Sequence, residues 1–412
     1  MRSLKRPQAL VAGLLAMGLV AACSSSSKSS STATTAGGST ATSAAPANST
    51  PIKIGVMLPL SGPLAGSSAD YAPLVPLLTK EPGNSTIDGR PVQIILKDDT
   101  GTAAGAASTA RELIDQEHVD IILGPLYTAM AMSVLPLTNA AKMFEIAFTG
   151  CPDCGDGTKN PTAFSIEYDR PTQGPATITR VKALGKSKMA MIESDDVTGQ
   201  DYANAINAAA SAGGVTITTT VKFTPSATDL SAQATQLKSS GADVVYVASA
   251  VPADIINIVK AMNEISYHPA LLGNSALGQA AVATAAGETW AKTFQASGYG
   301  ITDLLPNLSQ KSIDFRNLFK QMTGQNPVKN NLNQTMVVQD AFDMVKAAVQ
   351  ATHSTDGPTL SQWLVSNGFN GIRANYTFTS ARHNGLTPET VGWVQPGTFN
   401  DGYSAGAPLP SS

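Results

Sequence analysis

Histidine, cysteine and charged residues are scarce in this sequence of 412 residues. The four histidines, His118, His268, His353 and His383, form no H-E-x-x-H motif or other closely spaced pair of the kind that a catalytic zinc ion needs. Lys and Arg number 27 against 30 Asp and Glu, so a basic surface for nucleic acid is missing. We therefore expect no metal, no cofactor and no nucleic-acid partner.

Motifs of nucleophilic and phosphate-transfer enzymes are missing as well. The sequence contains no G-x-S-x-G elbow. Gly185-Lys-Ser187 resembles the end of a phosphate-binding P-loop, but Arg180 stands where that motif requires glycine. The segment also precedes a predicted strand, whereas a P-loop follows one. We therefore predict that the chain is not an enzyme.

The N-terminus has the pattern of a secretory signal. Three basic residues precede an apolar run over 9–20, which at 12 residues is too short to span a bilayer. Val20-Ala-Ala-Cys23 resembles the lipobox of bacterial lipoproteins, in which the cysteine is diacylated and becomes the mature N-terminus. We predict a lipoprotein signal peptide over 1–22 and a lipid anchor at Cys23; a plain cleavable signal with a chance cysteine is the alternative.

A low-complexity segment follows the signal. Residues 24–50 are almost entirely Ser, Thr, Ala and Gly, a composition that buries too little apolar surface to offset the entropy cost of ordering. We predict a tether over 23–50. The remaining chain, from Pro51 to Ser412, has the length of two domains and no apolar run long enough for a membrane span. We place this folded part outside the cytoplasm, at the outer face of the membrane.

Two cysteines, Cys151 and Cys154, remain in the folded part with C-x-x-C spacing. A redox pair would precede a helix, but Gly155-Asp-Gly-Thr-Lys-Asn-Pro161 is typical of a loop. A zinc site would need further ligands, and His118 and His268 are distant in sequence. In an oxidising compartment a small structural disulfide is the preferred interpretation, and the redox and metal roles stay open.

Strand-like and helix-like segments alternate along the folded part, which predicts an α/β fold of two Rossmann-like halves with parallel central sheets. In the first half we predict strands at 52–60, 91–99, 119–124 and 143–149, and helices at 102–117 and 128–142. In the second half we predict strands at 188–194, 215–223, 243–250 and 270–274, and helices at 199–212, 229–240 and 252–264. Two late helices are predicted at 312–322 and 333–352.

Three predicted strands of the first half end on glycines and hydroxyl groups. The segments are Pro59-Leu-Ser-Gly-Pro-Leu-Ala-Gly66, Gly124-Pro-Leu-Tyr-Thr128 and Phe148-Thr-Gly150. In open parallel sheets, ligands bind beyond the carboxyl ends of the strands. We therefore expect Tyr127 and Thr128 to face a ligand. Ordinary helix caps and turns explain any one of these loops, but they explain three parallel ones less well.

Several blocks, taken in order, resemble the type I solute-binding proteins of ABC importers. They are Ile52-Lys-Ile-Gly-Val-Met-Leu-Pro-Leu-Ser-Gly-Pro-Leu-Ala-Gly66, Lys97-Asp-Asp99, Val119-Asp-Ile-Ile-Leu-Gly-Pro125, Gln173-Gly174 and Ala212-Gly-Gly214. The most similar group binds branched-chain amino acids, amides and related small solutes. The resemblance extends over nearly all of residues 51–397.

The resemblance implies a type I periplasmic-binding-protein fold, whose two lobes close on a ligand about a three-segment hinge. The first lobe would comprise 51–168 and 302–385, and the second 169–301 and 386–412. The crossings would lie near 168–171, 299–303 and 383–387. The implied partners are a small solute and the permease and ATPase subunits of an ABC importer. A sensor of the same fold that signals to a membrane partner is the alternative.

The resemblance also implies where the solute binds. Thr128 matches the position of a hydroxyl that holds the ligand's carboxylate or carbonyl, and 149–151 match the segment after the fourth strand. Met336 and Gln339, on a late helix, would close the side of the pocket. The full set of predicted ligand-binding residues is Ser61, Ser67, Ser68, Leu126, Tyr127, Thr128, Phe148, Thr149, Gly150, Thr198, Val251, Ser275 and Gln339.

The second lobe departs from the pattern of the amino-acid-binding relatives. Ser275 stands where those relatives place an acid that pairs with the ligand's ammonium group, and Thr198 and Val251 replace aromatic residues. Burying an ammonium group without a carboxylate is costly. We therefore predict a neutral or anionic solute, such as an amide, a urea-like compound or a carboxylate, ahead of an amino acid. The alternative is that Asp195, Asp196 or Asp254 supplies the charge.

Overall fold

The computed structural model describes residues 50–151, 153–299, 305, 308–387, 390–396, 399–404 and 408–409. The predicted signal peptide, the tether up to residue 49 and Cys23 lie outside these residues. None of the helices in the described part combines the length and the hydrophobicity that a membrane span requires.

Strands and helices alternate along most of the chain. The strands are β1 (Ile52–Leu58), β2 (Thr86–Ile87), β3 (Arg90–Asp98), β4 (Ile121–Leu123), β5 (Phe144–Ala147), β6 (Ala163–Ser165), β7 (Lys188–Ser194), β8 (Thr216–Phe223), β9 (Val244–Ala248), β10 (Ala270–Gly273), β11 (Gln295–Tyr299), β12 (Phe369–Asn370), β13 (Asn375–Tyr376), β14 (Gly392–Val394), β15 (Phe399–Asn400), β16 (Tyr403–Ser404) and β17 (Pro408–Leu409). The α-helices are α1 (Ala103–Arg111), α2 (Thr128–Ala140), α3 (Arg170–Ala183), α4 (Val197–Gly213), α5 (Ser231–Ser239), α6 (Pro252–Glu264), α7 (Ala280–Ala286), α8 (Glu288–Ala291), α9 (Gln310–Thr323), α10 (Leu332–Thr352) and α11 (Gly357–Asn367).

The first lobe is built on a six-stranded sheet in the order β2-β3-β1-β4-β5-β6. Its neighbouring strands are parallel except for β2, which runs antiparallel to β3. β1 and β4 are almost completely buried because helices cover both faces of the sheet. Phe319 of α9 and Val337 of α10 belong to the same core. The late helices therefore complete this lobe, as the resemblance implied.

The second lobe is built on a seven-stranded sheet in the order β17-β14-β11-β10-β9-β7-β8. The strands from β7 to β11 pair in parallel, whereas β14 and β17 pair antiparallel at one edge. Two apolar clusters cover its two faces, one around Val247 and one around Tyr246. These mostly parallel sheets, each packed between helices, confirm the predicted α/β fold class.

The chain passes from one lobe to the other after β6, after β11 and before β14. It crosses twice more beyond β14, to Tyr403 in the core of the first lobe and back to β17 in the second sheet. Of the predicted second crossing, residues 300–303 lie outside the described part. We expected the C-terminal segment to lie entirely in the second lobe, but part of it packs in the first. Tyr403 lies in the core of the first lobe, where its hydroxyl donates to the carbonyl of Ser312, and Leu332 donates its amide to the carbonyl of Gly402. The exact lobe boundaries otherwise stay predictions.

The predicted strands and helices all occur, with ends shifted by a few residues, but others were missed. The predicted helix 102–117 is α-helical to Arg111 and continues as a π-helical turn over Glu112–Gln116. The helices α3 and α11 and the strand β6 were not predicted. A signal for α3 was present, because Asp169 caps it by accepting a hydrogen bond from the Thr172 amide and Pro171 lies in its first turn.

A glutamate lies in the centre of the first sheet. Glu145 of β5 is fully buried, Oε2 accepts a hydrogen bond from the Thr138 hydroxyl, and Oε1 has no hydrogen-bond partner among the described residues. Burial raises its pKa to about 7, and the bond from Thr138 offsets only part of this rise. Between the ordinary pKa of 4.5 and about 7, the unfolded chain releases a proton that the folded chain keeps. The stability that this group confers is therefore complete below pH 4.5 and is lost as the pH rises through about 7.

We predict that Glu145→Gln gains stability relative to the unsubstituted protein as the pH rises. The difference in the free energy of unfolding should shift in favour of the variant by roughly 2–3 kcal/mol between pH 4.5 and pH 8. Denaturant unfolding at the two pH values measures it, with Glu264→Gln at an exposed site as the control for loss of one carboxylate. A difference that stays constant with pH would contradict the buried-acid assignment.

Candidate functional site

A cavity of about 330 Å³ lies where the ends of the two sheets face each other. Its walls come from loops that follow strands of both lobes and from the first turns of α3, α4 and α6. The loop after β1 contributes Ser67 and Asp70, and the loop after β10 contributes Asn274 and Ser275. Its size falls at the lower end of the range for small-molecule sites. The strand ends thus form a site, as expected for parallel sheets.

The wall from the first lobe is largely aromatic. Tyr71 and Phe148 stack with their ring centroids 6.3 Å apart. The hydroxyl of Tyr127 donates to Ser67 Oγ, and the hydroxyl of Tyr71 donates to Gln334 Oε1. Burial raises the pKa of Tyr127 to about 12, so its hydroxyl remains a hydrogen-bond donor at neutral pH. This wall offers a flat apolar surface with fixed hydroxyl groups.

The wall from the second lobe contains a buried guanidinium. Arg170, at the start of α3, is 5% exposed, and its guanidinium carbon lies 3.5 Å from the centroid of the Tyr202 ring. Its Nη1 donates to Gln173 Oε1 at 2.5 Å, and its Nε lies 3.6 Å from Asp201 Oδ2. Burial raises the pKa of Asp201 to about 6, although Arg170 opposes the rise. Arg170 is therefore held rigidly at the cavity wall.

Another arginine fastens the crossings beside the cavity. Arg373 is 3% exposed and donates to Glu167 Oε2 at 3.0 Å, to the carbonyl of Ile166 at 3.1 Å and to Asn333 Oδ1 at 3.0 Å. It also donates to the carbonyl of Gly298 at 3.4 Å, at the end of β11 and just before the second pass between the lobes. Glu167 lines the cavity, so this ion pair connects the cavity wall to the hinge.

Most of the residues predicted to bind the ligand line the cavity. The first lobe brings three loops together here and the second lobe faces them with three more, as the positions of these residues implied. The predicted residues that line the cavity are Ser67, Leu126, Tyr127, Phe148, Thr149, Gly150, Thr198, Val251 and Ser275.

Three residues predicted in the segments that follow β1 and β4 do not line it. Ser61 is exposed, and its amide donates to Asp98 Oδ1, which fixes the first part of this loop. Ser68 points into the lobe and is 2% exposed. Thr128 is 1% exposed, and its Oγ1 lies 3.4 Å from the hydroxyl of Thr149. Thr149, not Thr128, therefore lines the cavity.

The contribution of the late helix was also assigned to the wrong face. Gln339 of α10 is 2% exposed and donates to Glu81 Oε2, and Met336 is fully buried in the core. Gln334 lines the cavity instead. Five residues along an α-helix correspond to a rotation of about 140°, so Gln334 and Gln339 face different directions.

The sequence analysis missed the charged and aromatic lining residues Asp70, Tyr71, Glu167, Tyr168, Arg170 and Tyr202. A signal existed for Tyr202, because it lies one helical turn after Thr198 and so shares its face of α4. The aromatic ring that Thr198 lacks is thus supplied four residues later. No local pattern distinguishes Asp70 or Glu167 from surface acids.

The segment after β5 is closed by a disulfide. Cys151 and Cys154 are joined, with their Cα atoms 5.2 Å apart, and both side chains are buried. Cys151 directly follows Gly150 of the cavity wall. The disulfide restricts the loop that carries Thr149 and Gly150, which agrees with the structural interpretation of the C-x-x-C spacing.

Two α/β lobes with a lined cavity between the ends of their sheets define the class of two-lobed solute-binding proteins. The chain belongs to the periplasmic binding protein family, whose family model matches residues 51–398. Members of this family bind solutes rather than catalyse reactions, and membership implies a location outside the cytoplasm.

The chain is similar to curated Leu/Ile/Val-binding proteins. Homolog 3 of this type from Brucella melitensis is 29% identical over 203 residues, which cover 47% of this chain and 53% of that protein. BraC3 from Rhizobium johnstonii is 25% identical over 241 residues, which cover 57% of this chain and 64% of that protein. The chain thus spans between half and two thirds of the length of these relatives.

The fold is shared with solved structures. One is the solute-binding protein of an ABC transporter from Rhodopseudomonas palustris in complex with 4-hydroxybenzoate. It superposes with a TM-score of 0.75 at 19% identity, and the match covers 87% of this chain and 96% of that one. At this identity the likeness establishes the fold alone.

We predict that Gly150→Ala destabilises the protein, because a Cβ there would lie 2.0 Å from the carbonyl oxygen of Tyr168 in the first crossing. The free energy of unfolding should fall by about 1–3 kcal/mol. Gly66→Ala is the matched control, since Gly66 also lines the cavity but a Cβ there meets nothing within 4 Å. Denaturant unfolding compares the two variants, and equal stability would show that the crossing yields to the added methyl group.

Proposed function

We propose that this protein is a lipid-anchored receptor on the outer face of the cytoplasmic membrane that captures one small polar solute between its lobes and delivers it to an ABC permease. The observation that carries the proposal is the cavity of about 330 Å³, which is lined by residues of both lobes. A solute held there touches both walls at once. It therefore stabilises the closed arrangement in proportion to its higher affinity for that state.

The lining favours a solute with a compact apolar part and a carboxylate or carbonyl group. Tyr71, Tyr127 and Phe148 provide the apolar surface, and Thr149 and Arg170 provide hydrogen-bond donors. Amino acids, aliphatic amides, urea-like compounds and small carboxylates fit this description. The solutes in the names of the curated relatives, Leu, Ile and Val, are amino acids, and the 4-hydroxybenzoate bound by the solved structure is a small carboxylate.

A binding screen of the purified protein tests the capture function. Thermal unfolding is followed with leucine, valine, acetamide, urea, benzoate and short aliphatic carboxylates, because a ligand at 100 times its Kd adds about 2.7 kcal/mol to stability. Small-angle scattering then tests whether the bound solute reduces the radius of gyration. Absence of any stabilising solute would argue against capture, and binding without compaction would argue against closure.

We predict that Ala253→Trp impairs capture without destabilising the fold. Ala253 is exposed on α6 and lines the cavity, so an indole there occupies space that the solute and the opposite lobe need. Affinity for any solute found in the screen should fall at least about tenfold, or 1.4 kcal/mol. Ala281→Trp on α7 is the control, because Ala281 is exposed and does not line the cavity. Equal loss of affinity in both variants would contradict the assigned site.

The lipid anchor is proposed from Val20-Ala-Ala-Cys23, because a cysteine in such a motif carries the acyl chains. We predict that Cys23→Ser moves the protein from the membrane fraction to the soluble extracytoplasmic fraction. Fractionation of cells that express either form measures the distribution, and mass spectrometry of the mature N-terminus checks acylation. A membrane-bound Cys23→Ser protein would rule out anchoring through this cysteine.

A further inference from the structure

A second cavity, of about 220 Å³, lies beside the first. The two share Pro63, Tyr127, Thr198, Ala250 and Val251 in their walls, so they are immediate neighbours. The first lobe contributes mainly apolar groups and backbone to the second cavity. The second lobe contributes polar groups, which are Ser194, Asp196, Thr198, Ser226, Ser249 and Asp254.

The second cavity is acidic. Asp196 and Asp254 line it, and the described residues of its wall include no lysine, arginine or histidine. Asp195, the remaining acid of the same loop, does not line it and pairs with Lys222 at 3.2 Å in an exposed position. Asp196 and Asp254, two of the three acids that could replace the acid missing at Ser275, therefore line the second cavity.

The hydrogen bonds of the two acids differ. Asp196 caps α4, and its two oxygens accept bonds from the Gly199 amide at 2.8 Å and the Ser194 hydroxyl at 2.7 Å. Asp254 accepts a bond from the Ser226 amide on Oδ1 at 2.9 Å, but its Oδ2 has no hydrogen-bond partner among the described residues. The side chain of Asp254 is 1% exposed. A buried carboxylate oxygen thus remains without a donor.

Such an oxygen is costly unless a donor reaches it. Burial raises the pKa of Asp254, the Ser226 amide lowers it, the neighbouring Asp196 carboxylate raises it further, and the Ser249 hydroxyl lowers it. The N-termini of α4 and α6 carry the positive ends of the helix dipoles, which stabilise the negative charge of both carboxylates. The Gly199 amide and the Ser194 hydroxyl satisfy the two oxygens of Asp196, whereas Oδ2 of Asp254 has no partner among the described residues. A cationic donor would satisfy both the hydrogen bonding and the charge of Asp254.

We infer that the second cavity is a cation subsite, in which Asp254 accepts a hydrogen bond from the ammonium group of a solute whose remaining part occupies the first cavity. This inference rests on the proposed capture function and narrows its solute to one with a primary amine. The acid that Ser275 lacks would then be supplied by the neighbouring loops, at a different point of the cleft.

Two pairs of probes test the subsite by isothermal titration of the purified protein. The pairs are hexanoate with 5-aminopentanoate and 4-ethylbenzoate with 4-(aminomethyl)benzoate; in each, an ammonium group replaces a terminal methyl group. In at least one pair the amine should bind at least about tenfold more tightly. In Asp254→Asn this preference should disappear, while the affinity of the uncharged member stays the same.

Asp195→Asn is the matched control, because it removes a nearby carboxylate that lies outside the cavity. It should keep the preference for the amine. A general electrostatic effect would lower the preference equally in both variants and would overturn the inference. If Asp254→Asn fails to fold, the comparison within each probe pair on the unsubstituted protein still decides.

The outcomes separate the subsite from the capture function. If the uncharged members bind and the amines bind no more tightly, the cation subsite is wrong and capture stands. If none of the four probes binds, the subsite is also wrong, and the wider screen alone decides whether the protein captures solutes.

Discussion

The guanidinium of Arg373 is the group on which the geometry of the cleft depends. Its bonds reach the first crossing at Ile166 and Glu167, the end of β11 at Gly298 and the late helix at Asn333. A buried guanidinium must have its donors satisfied, so these segments are constrained to converge on it. Glu167 is thereby held at the cavity wall, and the positions of hinge and site are set by the same interaction.

A second arginine, which is less buried, also connects the crossings between the lobes. Arg382 donates to Asp169 Oδ2 at 2.9 Å and to the carbonyl of Leu386 at 2.7 Å, which joins the first crossing to the third. Asp169 also caps α3, whose first residue is Arg170 of the cavity wall. A change in the angle between the lobes must therefore turn about segments that are already tied together.

The alternation of strands and helices could be predicted because strands that are buried on both faces of a sheet are continuous apolar runs, and helical segments separate these runs along the sequence. The sequence also predicted which loops meet, since strand ends in parallel sheets lie at one edge. It did not predict which side chain in a loop faces the cavity. Thr128 and Thr149 have the same side chain, and only the packing of the folded chain places Thr149 in the cavity wall. Gln334 and Gln339 are likewise identical in type, and the rotation of α10 selects between them.

The charge of the cleft could not be judged from single positions. Ser275 stands where the amino-acid-binding relatives have an acid, and this position alone predicted a pocket without preference for cations. The fold restores acids from elsewhere: Asp70 lines the first cavity without an ion pair among the described residues, and Asp254 lines the second. Arg170 is largely balanced by Asp201, and Glu167 by Arg373. Once these pairs are set aside, the lining acids that have no ion pair among the described residues are Asp70, Asp196 and Asp254. The packing of several loops, and not the residue at position 275, therefore decides where acids lie in the cleft.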